Sequence, residues 1–149
     1  MSKYFGTDGF RGEANKVLKA DDAYKIGRYL GWYYSREHRG RIVIGKDTRR
    51  SSYMFEYALV AGITASGSDA FLLHVTTTPS VAYVVRTEEF DCGIMVSASH
   101  NPYYDNGIKI IDGNGHKIAS DIEEAMENYI DGIVEELPFA TGEAVGTAT

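Results

Sequence analysis

Cysteine, proline and long apolar runs are scarce in this sequence of 149 residues. Cys92 is its only cysteine, which excludes disulfide frameworks and metal sites built from several cysteines. No apolar stretch approaches the roughly 20 residues that span a bilayer, and the amino terminus lacks the basic and then apolar pattern of a secretion signal. We therefore expect a cytoplasmic protein.

Positive charge is also in deficit, with 15 lysines and arginines against 21 aspartates and glutamates, for a formal net charge of −6. Such a chain has no overall field that would attract nucleic acid or an anionic membrane surface, so neither is an expected partner. With 44% hydrophobic residues it can bury one core, and its length predicts a single domain.

Helix and strand patterns alternate along the chain. Helical periodicity predicts helices over 20–38, 52–67, 80–89 and 120–136, and apolar runs predict buried strands over 41–45, 70–75 and 92–96. Residues 108–111 and 117–118 flank the glycine-rich segment 112–115, which predicts a hairpin at a sheet edge. We expect an α/β fold of three layers, α/β/α, around a mixed, mostly parallel sheet of about four strands.

Two local patterns set boundaries near the carboxyl end. Ser120 and Glu123 have the spacing of a capping box, which predicts the start of the last helix. From Pro138 onward the sequence loses helical periodicity and becomes rich in small residues and glycine, which is typical of a linker. We expect one domain over residues 1–137 and, over residues 138–149, a linker or the start of a second domain.

The segment Met95–Lys109, with the sequence MVSASHNPYYDNGIK, carries the chemistry. An apolar strand ends there in small polar residues, and open α/β sheets place functional loops beyond the carboxyl ends of their strands. A serine hydroxyl is a weak nucleophile, whereas a serine that bears a phosphate needs only positioning and charge neutralisation to donate it. The second role fits this segment better, because Lys109 and Arg11 can supply positive charge.

Other nucleophile and nucleotide motifs do not fit. The residues around Ser99 include no flanking glycine, as the nucleophile elbow of a hydrolase would require. Gly45-Lys46-Asp47-Thr48 is similar to the end of a Walker loop but lacks the upstream glycines. His38, His74 and His116 have no metal-ligand spacing.

The segment Met95–Lys109 resembles the phosphoserine loop of the α-D-phosphohexomutases, and its ending, YDNGIK, looks most like the phosphoglucosamine mutase branch of that family. Tyr4–Gly12 resembles the opening motif of the family, and Gly45–Ser52 resembles its strand-end loop. The resemblance covers nearly the whole chain.

The resemblance implies roles for particular residues. Ser99 would be the phosphorylated serine, Arg11 would face it, and Lys109 would lie in the active site. His100 would bind a phosphate oxygen or carry a proton, unless it only fixes the loop geometry. We expect support for substrate or phosphate from Thr7, Asp8, Asp47, Arg49 and Asn101.

The resemblance also implies a function. An intact phosphohexomutase of this branch interconverts glucosamine 6-phosphate and glucosamine 1-phosphate through a bisphosphate, in the amino-sugar metabolism that supplies cell-wall precursors. Mg²⁺ would bind through the phosphate on Ser99, with its other ligands in a second domain. The family has four domains and can form homodimers, so this chain would be the first domain and inactive alone. A phosphoglucomutase, a phosphomannomutase and a noncatalytic sugar-phosphate binding module stay open as alternatives.

Overall fold

The computed structural model describes residues 3–149 as an alternation of strands and helices. In chain order the elements are β1 (Phe10–Glu13), α1 (Ala20–Tyr34), β2 (Arg41–Lys46), α2 (Arg50–Ala65), β3 (Asp69–Val75), α3 (Thr78–Thr87), β4 (Cys92–Val96), β5 (Asp105–Asp112), α4 (Ser120–Ile130) and a 3₁₀ turn (Gly142–Ala144). The predicted α/β fold is confirmed, although the sheet has five strands instead of about four.

The strands form one mixed sheet in the order β1-β5-β4-β2-β3. β2 lies parallel to both β3 and β4, whereas β5 lies antiparallel to β4 and to β1. The carboxyl ends of β2, β3 and β4 therefore meet at one edge of the sheet. This is the edge at which open α/β sheets place their functional loops.

Helices cover both faces of the sheet, which confirms the predicted three layers. Side chains of β2 alternate between the faces, as the strand period of two requires. Ile42 and Ile44 join the hydrophobic cluster that contains residues of α1, α2 and α4, and Val43 joins Val81 and Val85 of α3 on the other face. No helix in the described part of the chain has the length and apolar content to cross a membrane.

Glycine lets α1 and α2 approach each other closely. A Cβ atom on Gly62 of α2 would overlap the carbonyl oxygen of Tyr24 and stand 2.7 Å from the amide nitrogen of Arg28, both in α1. Any side chain at this position would therefore push the helix backbones apart.

The sequence pattern did not predict β1, because Phe10-Arg11-Gly12-Glu13 contains one apolar residue and a glycine and reads as a loop. The structure pairs it with β5 in antiparallel register, so β5 is an internal strand. The expected edge hairpin is reduced to a turn: the chain reverses after β5, but Lys117 forms only an isolated bridge with Ile111.

The predicted capping box of α4 is wrong, although the helix starts at the expected place. Ala119 is the N-cap, and the carboxylate of Glu123 accepts a hydrogen bond from Lys117 Nζ over 2.9 Å instead of reaching back to the helix start. α4 ends at Ile130 and not near 136, since Gly132 follows with a φ of +72°, a conformation that stops helices. α1 also ends earlier than its apolar pattern suggested, at residue 34.

Residues 138–149 lie against the domain. Ala70 of β3 donates its amide to the carbonyl of Thr147 over 2.9 Å and accepts from the amide of Thr149 over 3.0 Å, so the segment runs along the free edge of β3. The buried Arg28 guanidinium donates to the carbonyl of Pro138 and stacks on the ring of Phe139, 3.7 Å from its centroid. The linker assignment of this segment stays a prediction.

Candidate active site

The serine loop, residues 97–104, begins where the buried strand β4 ends. Ser97 donates its amide to the carbonyl of Gly107 over 2.9 Å, so the loop leaves β4 and returns to β5 at adjacent points of the sheet. Ala98 is fully buried and fixes the start of the loop, whereas Ser99 and His100 are exposed. The loop is thus held at its base and presents Ser99 to solvent.

Ser99 has an unusual backbone conformation, with a φ of +55°. This left-handed region costs a residue with a side chain roughly 1–2 kcal/mol relative to the ordinary regions. The Ser99 amide donates to Ser97 Oγ over 3.0 Å, which is one of the contacts that hold it there. Backbone strain of this kind persists only where surrounding contacts determine the geometry, and it concentrates at functional sites.

A small polar cavity of about 190 Å³ lies beside Ser99. Its lining consists of Asp8, Arg11, Thr78, Met95, Ser97, Ser99 and Lys109. The sequence therefore predicted four of its members, Ser99, Arg11, Lys109 and Asp8. Two cationic side chains and one carboxylate face the same space, which gives it a net positive charge suited to a phosphate group.

The Arg11 side chain passes a glycine of the neighbouring strand on its way to the cavity. Arg11 lies on β1 opposite Gly107 of β5. A Cβ atom on Gly107 would stand 2.7 Å from Arg11 Cγ and 2.8 Å from the carbonyl oxygen of Ser97, so only glycine leaves room for the arginine stem. Arg11 Nε is buried and has no hydrogen-bond partner among the described residues. Buried donors are rarely left unpaired, so an anion in the cavity would complete this site.

Asp8 is carried by a tight turn. Gly6 and Gly9 exchange hydrogen bonds of 3.1 and 3.2 Å, which places Thr7 and Asp8 at the tip between them. Gly9 has a φ of +92°, and a Cβ atom there would overlap the carbonyl oxygen of Ile108. The turn therefore packs directly on β5. Asp8 lines the cavity, whereas the exposed Thr7 does not.

Lys109 and Thr78 approach the cavity from different elements. Lys109 lies on β5 opposite Met95 of β4, and its side chain is partly buried. Thr78 is the first residue of α3, whose amino-terminal end carries partial positive charge. Sequence patterns did not identify Thr78, Met95 or Ser97 as lining residues. The expected parallel sheet contained a signal for Thr78. Parallel pairing of β2 and β3 brings their carboxyl ends to one edge of the sheet, and Thr78 follows the end of β3 closely.

Arg49 binds the backbone of the serine loop and does not line the cavity. Its guanidinium donates to three loop carbonyls, those of Ser99 (2.7 Å), Asn101 (3.2 Å) and Pro102 (2.6 Å), and to the carbonyl of Asp105 at the start of β5 (3.1 Å). Its Nε donates to the carboxylate of Asp47 over 2.8 Å. These contacts place Arg49 on the loop backbone and not in the cavity.

Asp47 accepts several hydrogen bonds at the start of α2. Its carboxylate accepts a hydrogen bond from the Ser52 hydroxyl over 2.7 Å and one from the Arg49 amide over 3.0 Å. Burial raises the pKa of Asp47, but hydrogen bonds from Ser52, Arg49 and Ser97 outweigh burial and lower the pKa below its ordinary value. Asp47 is therefore an ionised anchor for its neighbours.

Two other predicted site residues lie outside the cavity. His100 is exposed on the serine loop and does not line the cavity. Asn101 lines a separate groove on the Arg49 side, donates its amide to the carbonyl of Ala98 over 3.0 Å and donates Nδ2 to Asp105 over 3.3 Å. Its contacts stabilise the loop.

The described residues do not form a metal site by themselves. Nowhere in residues 3–149 do three histidine, cysteine, aspartate or glutamate side chains come together as a ligand group. In the cavity Asp8 is the single carboxylate, and two cations accompany it.

Comparison with known proteins gives a consistent result. Residues 2–136 match the family model described as phosphoglucomutase/phosphomannomutase, alpha/beta/alpha domain I. The chain is 67% identical over 146 residues to a phosphoglucosamine mutase of Lachnoclostridium phytofermentans and 66% identical over 149 residues to one of Lachnospira eligens. Each alignment covers 98% of this chain and 33% of the relative. The chain thus spans about a third of the length of these curated relatives.

A solved structure shows the same fold. A phosphoglucomutase/phosphomannomutase family protein of Burkholderia thailandensis superposes with a TM-score of 0.78 at 27% sequence identity. The match covers 100% of this chain and 33% of that protein.

Proposed function

Because this chain belongs to the phosphoglucomutase/phosphomannomutase family, we propose that it is the phosphoserine-bearing domain of a phosphosugar mutase. The proposed reaction of the full-length protein, a chain of the length of the curated relatives, interconverts glucosamine 6-phosphate and glucosamine 1-phosphate. The amino sugar follows from the relatives with 66% and 67% identity, which are named phosphoglucosamine mutases. The domain alone would be inactive.

One observation carries the proposal. Ser99 shares its cavity with Arg11 and Lys109, and the buried Nε of Arg11 has no partner among the described residues. A phosphate on Ser99 would bring a charge of about −1.5 to −2 and three acceptor oxygens into that space. The two cations would neutralise this charge, and an oxygen would accept a hydrogen bond from the unpaired Nε of Arg11.

The proposed chemistry is a phosphoryl transfer between Ser99 and the sugar. A sugar hydroxyl oxygen attacks the phosphorus on Ser99, and the bond between phosphorus and Ser99 Oγ breaks as the new bond forms. The hydroxyl loses a proton and Ser99 Oγ gains one, so the products are a sugar bisphosphate and a free serine. The bisphosphate then turns around and returns its other phosphoryl group to Ser99.

Arg11 and Lys109 would stabilise charge on the transferring group, which is the main contribution of a protein to this type of reaction. His100 is our candidate to bind a phosphate oxygen or to carry the proton, because its exposed side chain follows Ser99 directly. Asp8 and Thr7 would support the phosphate from the Gly6–Gly9 turn.

Further parts of the proposal concern the rest of the protein. Residues 1–137 would form the first domain, and residues 138–149 would connect it to a second. Mg²⁺ would bind the Ser99 phosphate, with all its carboxylate ligands from the second domain. We propose a cytoplasmic enzyme that supplies amino-sugar precursors and can form a homodimer.

A comparison of substrates tests the reaction. The full-length enzyme is assayed on glucosamine 6-phosphate, glucose 6-phosphate and mannose 6-phosphate, and kcat/KM is compared. We expect the largest value for glucosamine 6-phosphate. A larger value for either neutral sugar would replace the proposal with a phosphoglucomutase or phosphomannomutase, and the absence of turnover on all three would refute it.

Peptide mapping tests the intermediate. The full-length protein should carry the mass of one phosphoryl group on the peptide that contains Ser99, and incubation with the hexosamine bisphosphate should complete the modification. Ser99→Ala should remove both the added mass and nearly all turnover. A phosphate on Ser97, or wild-type activity of Ser99→Ala, would contradict the proposed mechanism.

A further inference from the structure

We propose that Asp47 and Arg49 are positioning residues that hold Ser99 in its left-handed conformation and thereby set the direction of its phosphate. This inference rests on the proposed phosphoryl transfer at Ser99. In this role Arg49 binds the backbone of the serine loop, Asp47 orients Arg49, and neither residue contacts the substrate.

Arg49 holds the carbonyl side of Ser99. Its Nη2 donates to the Ser99 carbonyl oxygen over 2.7 Å, and Nη1 donates to carbonyls at and just beyond the end of the loop, among them those of Pro102 and Asp105. The planar guanidinium fixes the directions of these bonds relative to one another, which a flexible ammonium group does not. The carbonyl of Ser99 is therefore tied to the end of its own loop.

Ser97 holds the amide side of Ser99. Its Oγ accepts the Ser99 amide over 3.0 Å. Both backbone groups of Ser99 are therefore bonded to side chains, the amide to Ser97 and the carbonyl to Arg49. Together these bonds fix the φ of +55°, which Ser99 would otherwise leave for a more favourable region.

Asp47 holds Arg49 in place. Its carboxylate accepts hydrogen bonds from the amide and from Nε of Arg49, and it also accepts one from the Ser52 hydroxyl. The Ser52 Oγ also accepts from the buried Asn106 Nδ2 over 3.1 Å, and Asn106 accepts the Gly107 amide over 2.8 Å. The network thus links the loop after β2 to the strand that follows the serine loop.

Arg49 and Arg11 differ in what their guanidinium groups bind. Each of the three guanidinium nitrogens of Arg49 already donates a hydrogen bond within the protein. Arg11 instead has a buried nitrogen without a partner among the described residues and lines the cavity. The Arg49 nitrogens bind the Asp47 carboxylate and main-chain carbonyls of the serine loop, so Arg49 acts through the position of Ser99.

Steady-state kinetics of full-length Asp47→Asn, Arg49→Lys and Arg49→Ala test the inference. A displacement of the reacting group by about 1 Å can lower a rate on the order of 100-fold, so we expect a drop of that size in kcat for Arg49→Ala. KM should stay within about threefold, because no contact to substrate is removed. Asp47→Asn and Arg49→Lys should fall between Arg49→Ala and the wild type.

A matched control and a rescue separate positioning from general destabilisation. Arg39 also donates to main-chain carbonyls, those of Glu143 and Ala144, but at the opposite end of β2. Arg39→Ala should therefore keep its kcat. Added guanidinium ion should restore part of the kcat of Arg49→Ala and leave that of Arg39→Ala unchanged. If Arg49→Ala does not fold, Arg49→Lys and Asp47→Asn carry the test.

The outcomes distinguish this inference from the proposed function. If wild-type protein turns over and carries phosphate on Ser99, but kcat of Arg49→Lys and Asp47→Asn equals that of the wild type, the positioning role is refuted. A rise in KM with unchanged kcat would also refute it, because it would assign Arg49 to substrate binding. If wild-type protein never carries phosphate on Ser99, the proposed function itself fails.

Discussion

Lys46 and Glu56 form an ion pair with 2.9 Å between the ammonium nitrogen and a carboxylate oxygen, and each side chain is only 2% exposed. Lys46 is the last residue of β2 and lies opposite Val96, the last residue of β4. The pair therefore ties α2 to the sheet directly below the serine loop. Lys46 Nζ also lies 4.7 Å from the centroid of the Tyr53 ring, which adds a second favourable contact for its charge.

Removing one partner of this pair should destabilise the protein strongly. Glu56→Gln leaves the Lys46 charge buried and unpaired, which typically costs about 3–5 kcal/mol in the free energy of unfolding. The double variant Lys46→Met/Glu56→Leu removes both charges and should recover most of that loss. Denaturant unfolding of the 149-residue chain measures both values. A loss below about 1 kcal/mol in Glu56→Gln would show that water or other groups compensate for Glu56.

Two substitutions at Ser99 should differ in stability because of its backbone. Glycine occupies the left-handed region without a steric penalty, whereas alanine pays roughly 1–2 kcal/mol there. The greater freedom of glycine in the unfolded chain offsets part of this difference. Ser99→Gly should therefore unfold at a higher temperature than Ser99→Ala, although neither can carry phosphate. A higher melting temperature for Ser99→Ala would mean that the loop relaxes out of the left-handed region.

Arg11→Ala and Lys109→Ala should each lower kcat in the full-length enzyme far more than they lower its melting temperature. Both side chains face the cavity beside Ser99, where they would stabilise charge at the transferring phosphate. Removing one such group typically costs on the order of 10²–10³ in kcat. Lys16→Ala is a suitable control, since Lys16 is 73% exposed and forms a surface ion pair with Glu13 of β1. Wild-type turnover in both cavity variants would remove Arg11 and Lys109 from the site.

The sequence predicted the parts of the site that lie close together along the chain. Ser99 and Lys109 belong to one segment between a buried strand and the next, so the end of the apolar run located both of them. The central strands and the start of α1 likewise followed from the periodicity of neighbouring residues.

The remaining parts depend on contacts that sequence patterns do not contain. The strand β1 exists because β5 offers it a partner, although its own residues resemble a loop. The sequence placed Arg49 at the site as a support for substrate or phosphate, but the four main-chain carbonyls that it binds come together only in the folded loop. Glu123 matched a capping box, yet the competing Lys117 ammonium binds it instead.

A last prediction concerns pH and the segment that leads into the Gly6–Gly9 turn. The carboxylate of Glu127 on α4 accepts the amides of Lys3 and Phe5 over 2.9 Å and that of Tyr4 over 2.6 Å. Burial raises the pKa of Glu127, but these three backbone hydrogen bonds outweigh burial and bring the pKa below its ordinary value of 4.5. A depressed pKa in the folded state means that the ionised carboxylate stabilises the fold above that ordinary value. This contribution is lost as the pH falls through the folded pKa.

Glu127→Gln should therefore lower the melting temperature of the chain at pH 7, because a neutral amide binds three backbone donors less strongly than a carboxylate. The difference from the wild type should shrink as the pH falls from 4.5 through the lower pKa of the folded state, because Glu127 itself becomes protonated over this range. Glu124→Gln, the same change at an exposed position of α4, should have little effect at either pH. A difference between Glu127→Gln and the wild type that stays constant from pH 7 down to acid unfolding would show that the ionised carboxylate does not hold this segment.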